Sequence, residues 1–374
     1  MGKVDIWAIV GTRRWARVVA GELCVILPDD AIINMLGDPN DVALQEWLSV
    51  SNLKERVHIV RSLRPCFAFE IGVALVINSA YQHASSIEAL LYAGYHVVSE
   101  KPLSFSKKQT QGLIDLAKKL NLSLFSTNTY LFADYIYSFK ENWLKSCRFT
   151  KVEIFWSDAI CEFRYGEGKK YDSSVPIIFD VLPHVACLIA ATLGLQYIHS
   201  SDIEVYSGGS AVLVRYYAED FVVIVHMARN SEARRRCMHF TGPCVDVKID
   251  FSVEPGFIVN NGCNVLSDVA WQQMSRPIAS MINSLINFFE NKQLDSRLSS
   301  SVALYANELI DSVVYDYVEH QVAFLSTYKE KSNQVIDSSF EYAVIESNSI
   351  SKRLSPSILE NSPLHRMAEI ANLI

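Results

Sequence analysis

The sequence lacks the marks of several protein classes. Its eight cysteines, Cys24, Cys66, Cys147, Cys161, Cys187, Cys237, Cys244 and Cys263, form no CxxC pair. No histidine cluster has zinc spacing, so neither a structural metal nor a disulfide framework is expected. Scattered thiols in a chain this long read as small buried hydrophobes of a reduced, cytoplasmic protein. No uncharged apolar run reaches membrane-spanning length. The N-terminal apolar run is too short for a signal peptide and carries no small-residue cleavage site. There is no basic stripe: the net charge is −7 with both signs interspersed, so nucleic acid is not an expected partner. No internal repeat is present.

What is there is a globular composition. The chain has 374 residues, half of them hydrophobic and a fifth charged, which suits two folded domains. Val4–Val10 is a continuous apolar run, as in a strand buried on both faces. It enters Gly11-Thr12-Arg13-Arg14-Trp15-Ala16 and then a helical stretch to about Leu23. A dinucleotide fingerprint, G-x-G-x-x-G/A, would sit at this turn. Gly11 and Ala16 match its ends. Arg13 stands where the middle glycine lets the backbone approach a pyrophosphate, so it either obstructs that approach or replaces it with a charged contact. Any strand-turn-helix junction can contain one glycine, so the motif alone is weak.

A second strand, Ala31–Leu36, ends at Gly37-Asp38. Asp38 lies about twenty residues past the turn, where a carboxylate bonds the adenosine ribose diol. Gly-Asp-Pro-Asn is equally a turn in its own right. Both readings stand. Ribose binding would favour NAD, whereas Arg13 and Arg14 suit a 2′-phosphate.

Further strands and helices then alternate. Val42–Leu48 reads as helix and Val57–Val60 as strand. Val73–His83 is a strand with its loop, and Ala84–Ala93 a helix. Val97-Val98 is the next strand, Lys107–Leu120 an amphipathic helix and Leu122–Thr127 a strand. This order predicts a doubly wound parallel sheet. In Glu100-Lys101-Pro102 the proline holds Lys101 extended at the C-terminal end of a strand. Ligands bind along that edge of such sheets. Lysine there offers three N–H donors or, with a shifted pKa, a proton. Alone, it would read as a surface loop lysine.

From Phe149 the pattern changes. Lys151–Trp156 alternates as a half-buried strand. Ile203–Tyr206, Ala211–Tyr217, Phe221–Met227, Arg235–Thr241 and Val245–Phe251 continue as strands joined by turns, which predicts a largely antiparallel sheet. Helices are expected at about Pro277–Asn291 and Arg297–Leu325. Before them, Asp180 and His184 lie four apart, hence on one face of a helix that should be mostly buried. For the pair alone, a capping aspartate and a hydrogen-bonded core histidine would be the simpler explanation.

His83, Ala93-Gly94, His96-Val97 and Glu100-Lys101-Pro102 together closely resemble the Gfo/Idh/MocA family of nicotinamide-dependent oxidoreductases. Asp180 and His184 match its Asp-x-x-x-His pair, and the resemblance spans about Val4 to Leu325. Two positions depart from it: Ser173-Ser-Val-Pro176 replaces a glycine-rich run, and Cys187 replaces a frequent aspartate. The resemblance implies catalysis by Lys101 and His184, with Asp180 supporting the histidine. It implies cofactor contacts, to NAD or NADP, from Gly11, Thr12, Arg13, Arg14, Trp15, Ala16, Asp38, Asn78, Ala80, His83, Glu100 and Lys101. Substrate contacts would come from Lys101, Tyr130, Asp180 and His184.

The expected fold is α/β: an N-terminal Rossmann sheet over 1–130, then an α+β domain with a largely antiparallel open sheet over 131–325. Ser326–Ile374 reads as an extension partly outside the shared fold. The expected reaction is hydride transfer between a nicotinamide and a secondary alcohol or ketone of a sugar, nucleotide sugar or cyclitol. The alternatives are a C=N reductase of siderophore or antibiotic assembly and a non-catalytic NAD(P)-binding sensor. The expected assembly is a homodimer or homotetramer through the C-terminal sheet, with no membrane partner.

Overall fold

The computed structural model describes residues 3–67, 70–145, 147–164, 167–169, 171–260, 263–268, 271, 276–330, 338–353 and 362–371. The chain divides into two compact units, Met1–Ala133 with Gln272–Leu304, and Asp134–Trp271 with Tyr305–Ile374.

The first unit holds six parallel strands in the order β3-β2-β1-β4-β5-β6. They are β1 (Ile6–Val10), β2 (Ile33–Leu36), β3 (Val57–Val60), β4 (Gly72–Val76), β5 (His96–Ser99) and β6 (Leu124–Ser126). β1 pairs β4 from Ile6↔Gly72 to Val10↔Val76. Both strands are buried at every position, because helices cover both faces of the sheet. Alternate strand residues feed opposite cores. Trp7, Ile9, Val73 and Leu75 pack with Val19 and Leu23 of α1 (Arg14–Ile26). Ala8, Val10, Ala74 and Val76 pack with Ile87 and Leu91 of α3 (His83–Tyr92) and Leu113 of α4 (Lys107–Lys119). α2 (Val42–Val50) follows β2, its first turn capped by Asp41 accepting from the Leu44 amide.

The second unit is built on an eight-stranded sheet, β10-β11-β12-β7-β13-β14-β15-β16. Its strands are β7 (Lys151–Ala159), β10 (Ser200–Tyr206), β11 (Ala211–Tyr217), β12 (Val222–Ser231), β13 (Arg235–Gly242), β14 (Val245–Asp250), β15 (Phe257–Asn260) and β16 (Cys263–Leu266). β8 (Glu162–Arg164) and β9 (Glu167–Lys169) make a separate hairpin. β7 and β12 run parallel and the other neighbours antiparallel, so the sheet is mixed but mostly antiparallel. One face of β7, at Val152, Ile154, Trp156 and Asp158, is buried. α5 (Asp134–Phe139) precedes the sheet and α6 (Ile177–Leu193) packs on β12.

The C-terminal third departs from the sequence reading. α7 (Pro277–Asn291) belongs to the first unit: Met281, Ile282, Leu285 and Phe289 join the α1 core. The expected helix Arg297–Leu325 is two helices, α8 (Ser301–Asp311) and α9 (Val314–Glu330). α10 (Ser338–Arg353) and α11 (Leu364–Ala371) pack into the second unit, burying Tyr342, Ala343, Glu346, Ile350, Leu364 and Met367. The described residues of α10 and α11 thus contribute to that unit's core. No described helix is long and apolar enough to cross a membrane.

Candidate active site

In the first unit, the candidate residues gather at the carboxyl ends of the strands. Gly11 leaves β1 with φ +132, and a Cβ there would meet the Ile77 carbonyl oxygen at 2.6 Å. Only glycine allows this turn to press against the end of β4. Arg13 is exposed at the N-cap of α1 without a side-chain cap bond, and the first turn holds no acid. The helix therefore presents its amide end to an anion. Ala16 is fully buried and lets α1 lie close to the sheet. A glycine turn that no Cβ fits, followed by this uncapped helix end, suits a dinucleotide pyrophosphate. Gly11→Ala is expected to lower the melting temperature, at a backbone cost of about 1–3 kcal/mol. It should also weaken NADH binding by at least tenfold in a fluorescence titration. Unchanged binding would separate the turn from the cofactor.

The other strand ends are tied to this turn and to one another. Trp15 Nε1 donates to Glu100 Oε1 at 2.7 Å, linking α1 to the residue after β5. The Lys101 amide donates to Glu100 Oε2 at 3.3 Å, and the Lys101–Pro102 bond is cis. His83 is buried, with Nδ1 2.7 Å from the Pro102 carbonyl oxygen and Nε2 3.2 Å from that of Asn78. Burial pushes its pKa down, while the two carbonyl oxygens and Glu100 pull it up; a neutral ring donates to one of the carbonyls at a time. Asn78 Nδ2 donates to Ser86 at 2.8 Å, and Ala80 opens the short turn before α3. Tyr130 lies in the turn Thr129–Phe132 after β6, half-buried, while its neighbour Phe132 is in the core.

Asp38 keeps both of its sequence-based readings. Its Oδ1 accepts from the Asn40 amide at 3.1 Å, a turn bond, and from Arg61 Nη2 at 2.9 Å. Arg61 follows β3 and escaped the sequence reading. Strand order alone places it beside the end of β2. Asp38→Ser would leave the Arg61 guanidinium without this carboxylate, able to pair with a 2′-phosphate if the turn holds the ribose. That change is expected to shift the ratio of NADH to NADPH affinity towards NADPH by roughly tenfold, or ~1.4 kcal/mol. An unchanged ratio would make Asp38 a turn residue only.

In the second unit, α6 runs from Ile177 to Leu193 with Pro183 inside it. Every residue from Ile177 to Ile189 is buried except Asp180 and His184. Their spacing of four puts both on the one accessible stripe. The His184 ring stacks on Trp156 of β7, with centroids 4.5 Å apart and planes 17° apart. The Arg236 guanidinium lies 3.8 Å from the centre of the same indole and pairs with Asp158. Asp180 Oδ2 accepts from Arg229 Nη2 at 3.1 Å. Arg229, 4% exposed, also donates to the Val175 carbonyl at 2.8 Å and to Tyr342 Oη at 3.0 Å. Asp180 therefore has a buried cation as partner. Cys187 is buried one turn beyond His184.

Arg229, Arg236, Trp156 and Asp158 were not singled out from the sequence, yet a signal exists. Val152, Ile154, Trp156 and Asp158 alternate along one strand, and Val223, Val225, Met227 and Arg229 along another. A charge in the core register of a strand demands a partner.

Residues 8–128 match the family described as GFO_IDH_MocA, "Oxidoreductase family, NAD-binding Rossmann fold". The match lies within the first unit, which carries an NAD(P)-binding Rossmann domain like that of this oxidoreductase family. Comparison with curated proteins gives no match. Among solved structures, UDP-N-acetylglucosamine 3-dehydrogenase GnnA from Acidithiobacillus ferrooxidans aligns with a TM-score of 0.64. It is 14% identical, over 82% of this chain and 96% of that one. A dehydrogenase, MviM, from Clostridium difficile aligns with a TM-score of 0.62 at 17% identity, over 83% and 99%. Biliverdin reductase from Synechocystis sp. PCC 6803, in complex with biliverdin and NADP+, gives 0.60 at 14% identity, over 81% and 96%. At these identities the likeness is one of fold.

Proposed function

We propose that the protein transfers a hydride between NAD(P) and a secondary alcohol or ketone of a sugar, nucleotide sugar or cyclitol. The observation that carries this reading is the stripe on α6: an ionisable pair is left accessible on a helix otherwise buried along that stretch. The bound nicotinamide would supply the hydride acceptor or donor. His184 takes the proton that leaves the alcohol oxygen, and returns it in the reverse direction. The Lys101 ammonium stabilises negative charge on that oxygen. Arg229 fixes the Asp180 carboxylate, which helps hold the substrate hydroxyls. Tyr130 is a further substrate contact, and Asn78, Ala80, His83 and Glu100 complete the walls of the cofactor site.

Nicotinamide fluorescence titration, followed by turnover assays on a panel of sugars, nucleotide sugars and cyclitols, tests the reading. Cofactor binding without turnover of any compound would overturn it. Support for the expected oligomer is the half-exposed face of β7, which carries Phe155 with His226 stacked on it at 4.4 Å. Light scattering on the full chain checks for a dimer or tetramer.

A further inference from the structure

Glu346 of α10 is a buried carboxylate that the proposed chemistry does not use. It is 1% exposed, and its hydrogen-bond donors are uncharged. Tyr317 Oη donates to Oε2 at 2.8 Å, Gln321 Nε2 to the same atom at 3.4 Å, and Tyr342 Oη to Oε1 at 3.2 Å. Tyr342 is the branch point. Its oxygen accepts from Arg229 Nη1 at 3.0 Å, and Arg229 Nη2 donates to Asp180 Oδ2 at 3.1 Å. One hydroxyl and one guanidinium thus connect buried Glu346 to accessible Asp180 on α6.

α10 also grips the loop that enters α6. Ser349 Oγ is 2.9 Å from Ser173 Oγ, and Arg353 Nη1 pairs with Asp172 at 3.0 Å. The Val175 carbonyl of that loop accepts from Arg229 Nη2 at 2.8 Å. Tyr171 lies under the same guanidinium, 4.7 Å from ring centre to Cζ, with its ring centre 6.0 Å from that of Tyr342. A buried guanidinium held at both terminal nitrogens moves with its partners, so displacing Tyr342 displaces the cation that faces Asp180.

Charge couples the two carboxylates as well. With Glu346 ionised, two carboxylates share one cation; with Glu346 neutral, the cation serves Asp180 alone. Burial pushes the Glu346 carboxyl up to about 7, with Arg229 and the two tyrosine hydroxyls pulling the other way. Its change of charge therefore falls in the neutral range. Burial keeps Tyr317 and Tyr342 protonated there. The turn Ser207–Gly209, packed on α10, has no ionisable side chain. The ionisable groups of α11 are exposed: His365 pairs with Glu369, and Arg366 with Glu319 of α9. At the other end of the chain of contacts, Asp180 is faced by Arg229 and shares its stripe with His184.

We propose that Tyr342 and Glu346 are positioning residues of the site: acting through Arg229 they orient Asp180, and the charge on Glu346 is transmitted to it. The link to turnover rests on the oxidoreductase reading above; the transmission to Asp180 does not. Carboxyl 13C NMR on the full chain tests it between pH 5 and 8.5, with the two resonances assigned by Asp180→Asn and Glu346→Gln. In wild type, Asp180 13Cγ should show a step at the pH where Glu346 13Cδ titrates. The step should vanish in Glu346→Gln and shrink by roughly half or more in Tyr342→Phe. Melting curves and NADH titration check that the variants fold. On any alcohol that is turned over, Tyr342→Phe should lower kcat/KM by about tenfold through misplacement of Asp180. NADH affinity should stay near wild type, because the Rossmann sheet lies in the other unit. Glu346→Gln should flatten the kcat/KM profile around neutral pH.

A Glu346 that does not titrate in this range, or an Asp180 resonance blind to its titration, would overturn the proposal. So would a step that persists in Glu346→Gln, which would belong to His184. Turnover with kcat/KM unchanged in Tyr342→Phe would overturn it too, and leave the oxidoreductase reading standing. The coincident step, with no alcohol turned over by the wild type, would support the coupling and remove that reading.

Discussion

Lys101→Ala and His184→Ala are each expected to lower kcat by about two to four orders of magnitude, the usual cost of removing a proton-transfer or charge-stabilising group. NAD(P)H affinity should stay within a few-fold of wild type in His184→Ala, because His184 lies in the unit without the Rossmann sheet. Its melting temperature should fall only slightly. The histidine is half-buried and its ring stacks on Trp156, a pairing worth about 0.5–1.5 kcal/mol. The pH–rate profile adds a readout that packing would not move: the limb reporting the proton-transfer group should disappear in His184→Ala. Folded protein that turns over normally without this imidazole would make His184 a packing residue. The proton would then go elsewhere, with Tyr130 the next candidate. If both variants fold and keep full activity, the site assignment fails even though the fold stands.

The parts of this picture that the sequence makes legible are local. β1 and β4 are continuous apolar runs because both of their faces are covered. Gly11 and Ala16 are small because backbone and helix approach closely there. Asp180 and His184 share a face because they are one helical turn apart. What stays hidden depends on distant pairings. Arg61 reaches Asp38 only because β3 lies beside β2. Trp15 and Glu100 meet across 85 positions, and Arg229 and Tyr342 across 113. Periodicity carries no information about such partners. The break between α8 and α9 falls at Ser312-Val313, where no glycine or proline marks it. Conversely α6 continues through Pro183, because burial on most of its surface outweighs one lost backbone bond. The return of α7 to the first sheet is likewise tertiary: its apolar stripe suits either core equally well.

Arg229→Leu is expected to destabilise the second unit by about 1–3 kcal/mol, since it leaves the buried Val175 carbonyl and Tyr342 hydroxyl without their donor. The guanidinium joins Asp180, Val175 and Tyr342, and Tyr342 Oη is 3.2 Å from Glu346 Oε1. Glu346 is 1% exposed and also accepts from Tyr317 Oη at 2.8 Å and Gln321 Nε2 at 3.4 Å. Burial pushes its carboxyl up from 4.5 to about 7, with Arg229 and the two tyrosine hydroxyls pulling the other way. The folded state therefore holds a proton that the unfolded chain has already lost. Stability should be greatest below about 4.5 for this group and fall as pH rises towards 7, by on the order of 3 kcal/mol at most. Glu346→Gln removes the ionisation and keeps an acceptor for the hydroxyls. Its melting temperature should lose this part of the pH dependence and exceed wild type above pH 7. In Arg229→Leu the carboxyl loses its cation and should titrate higher still, so the decline moves to higher pH. The double variant should recover part of the Arg229→Leu loss at pH 8, because the two groups are coupled. Melting curves of the four proteins between pH 5 and 8.5 measure all of this. Parallel pH profiles for wild type and Glu346→Gln would mean that Glu346 carries no proton in the folded protein at these pH values, and that the arginine network holds a permanent carboxylate.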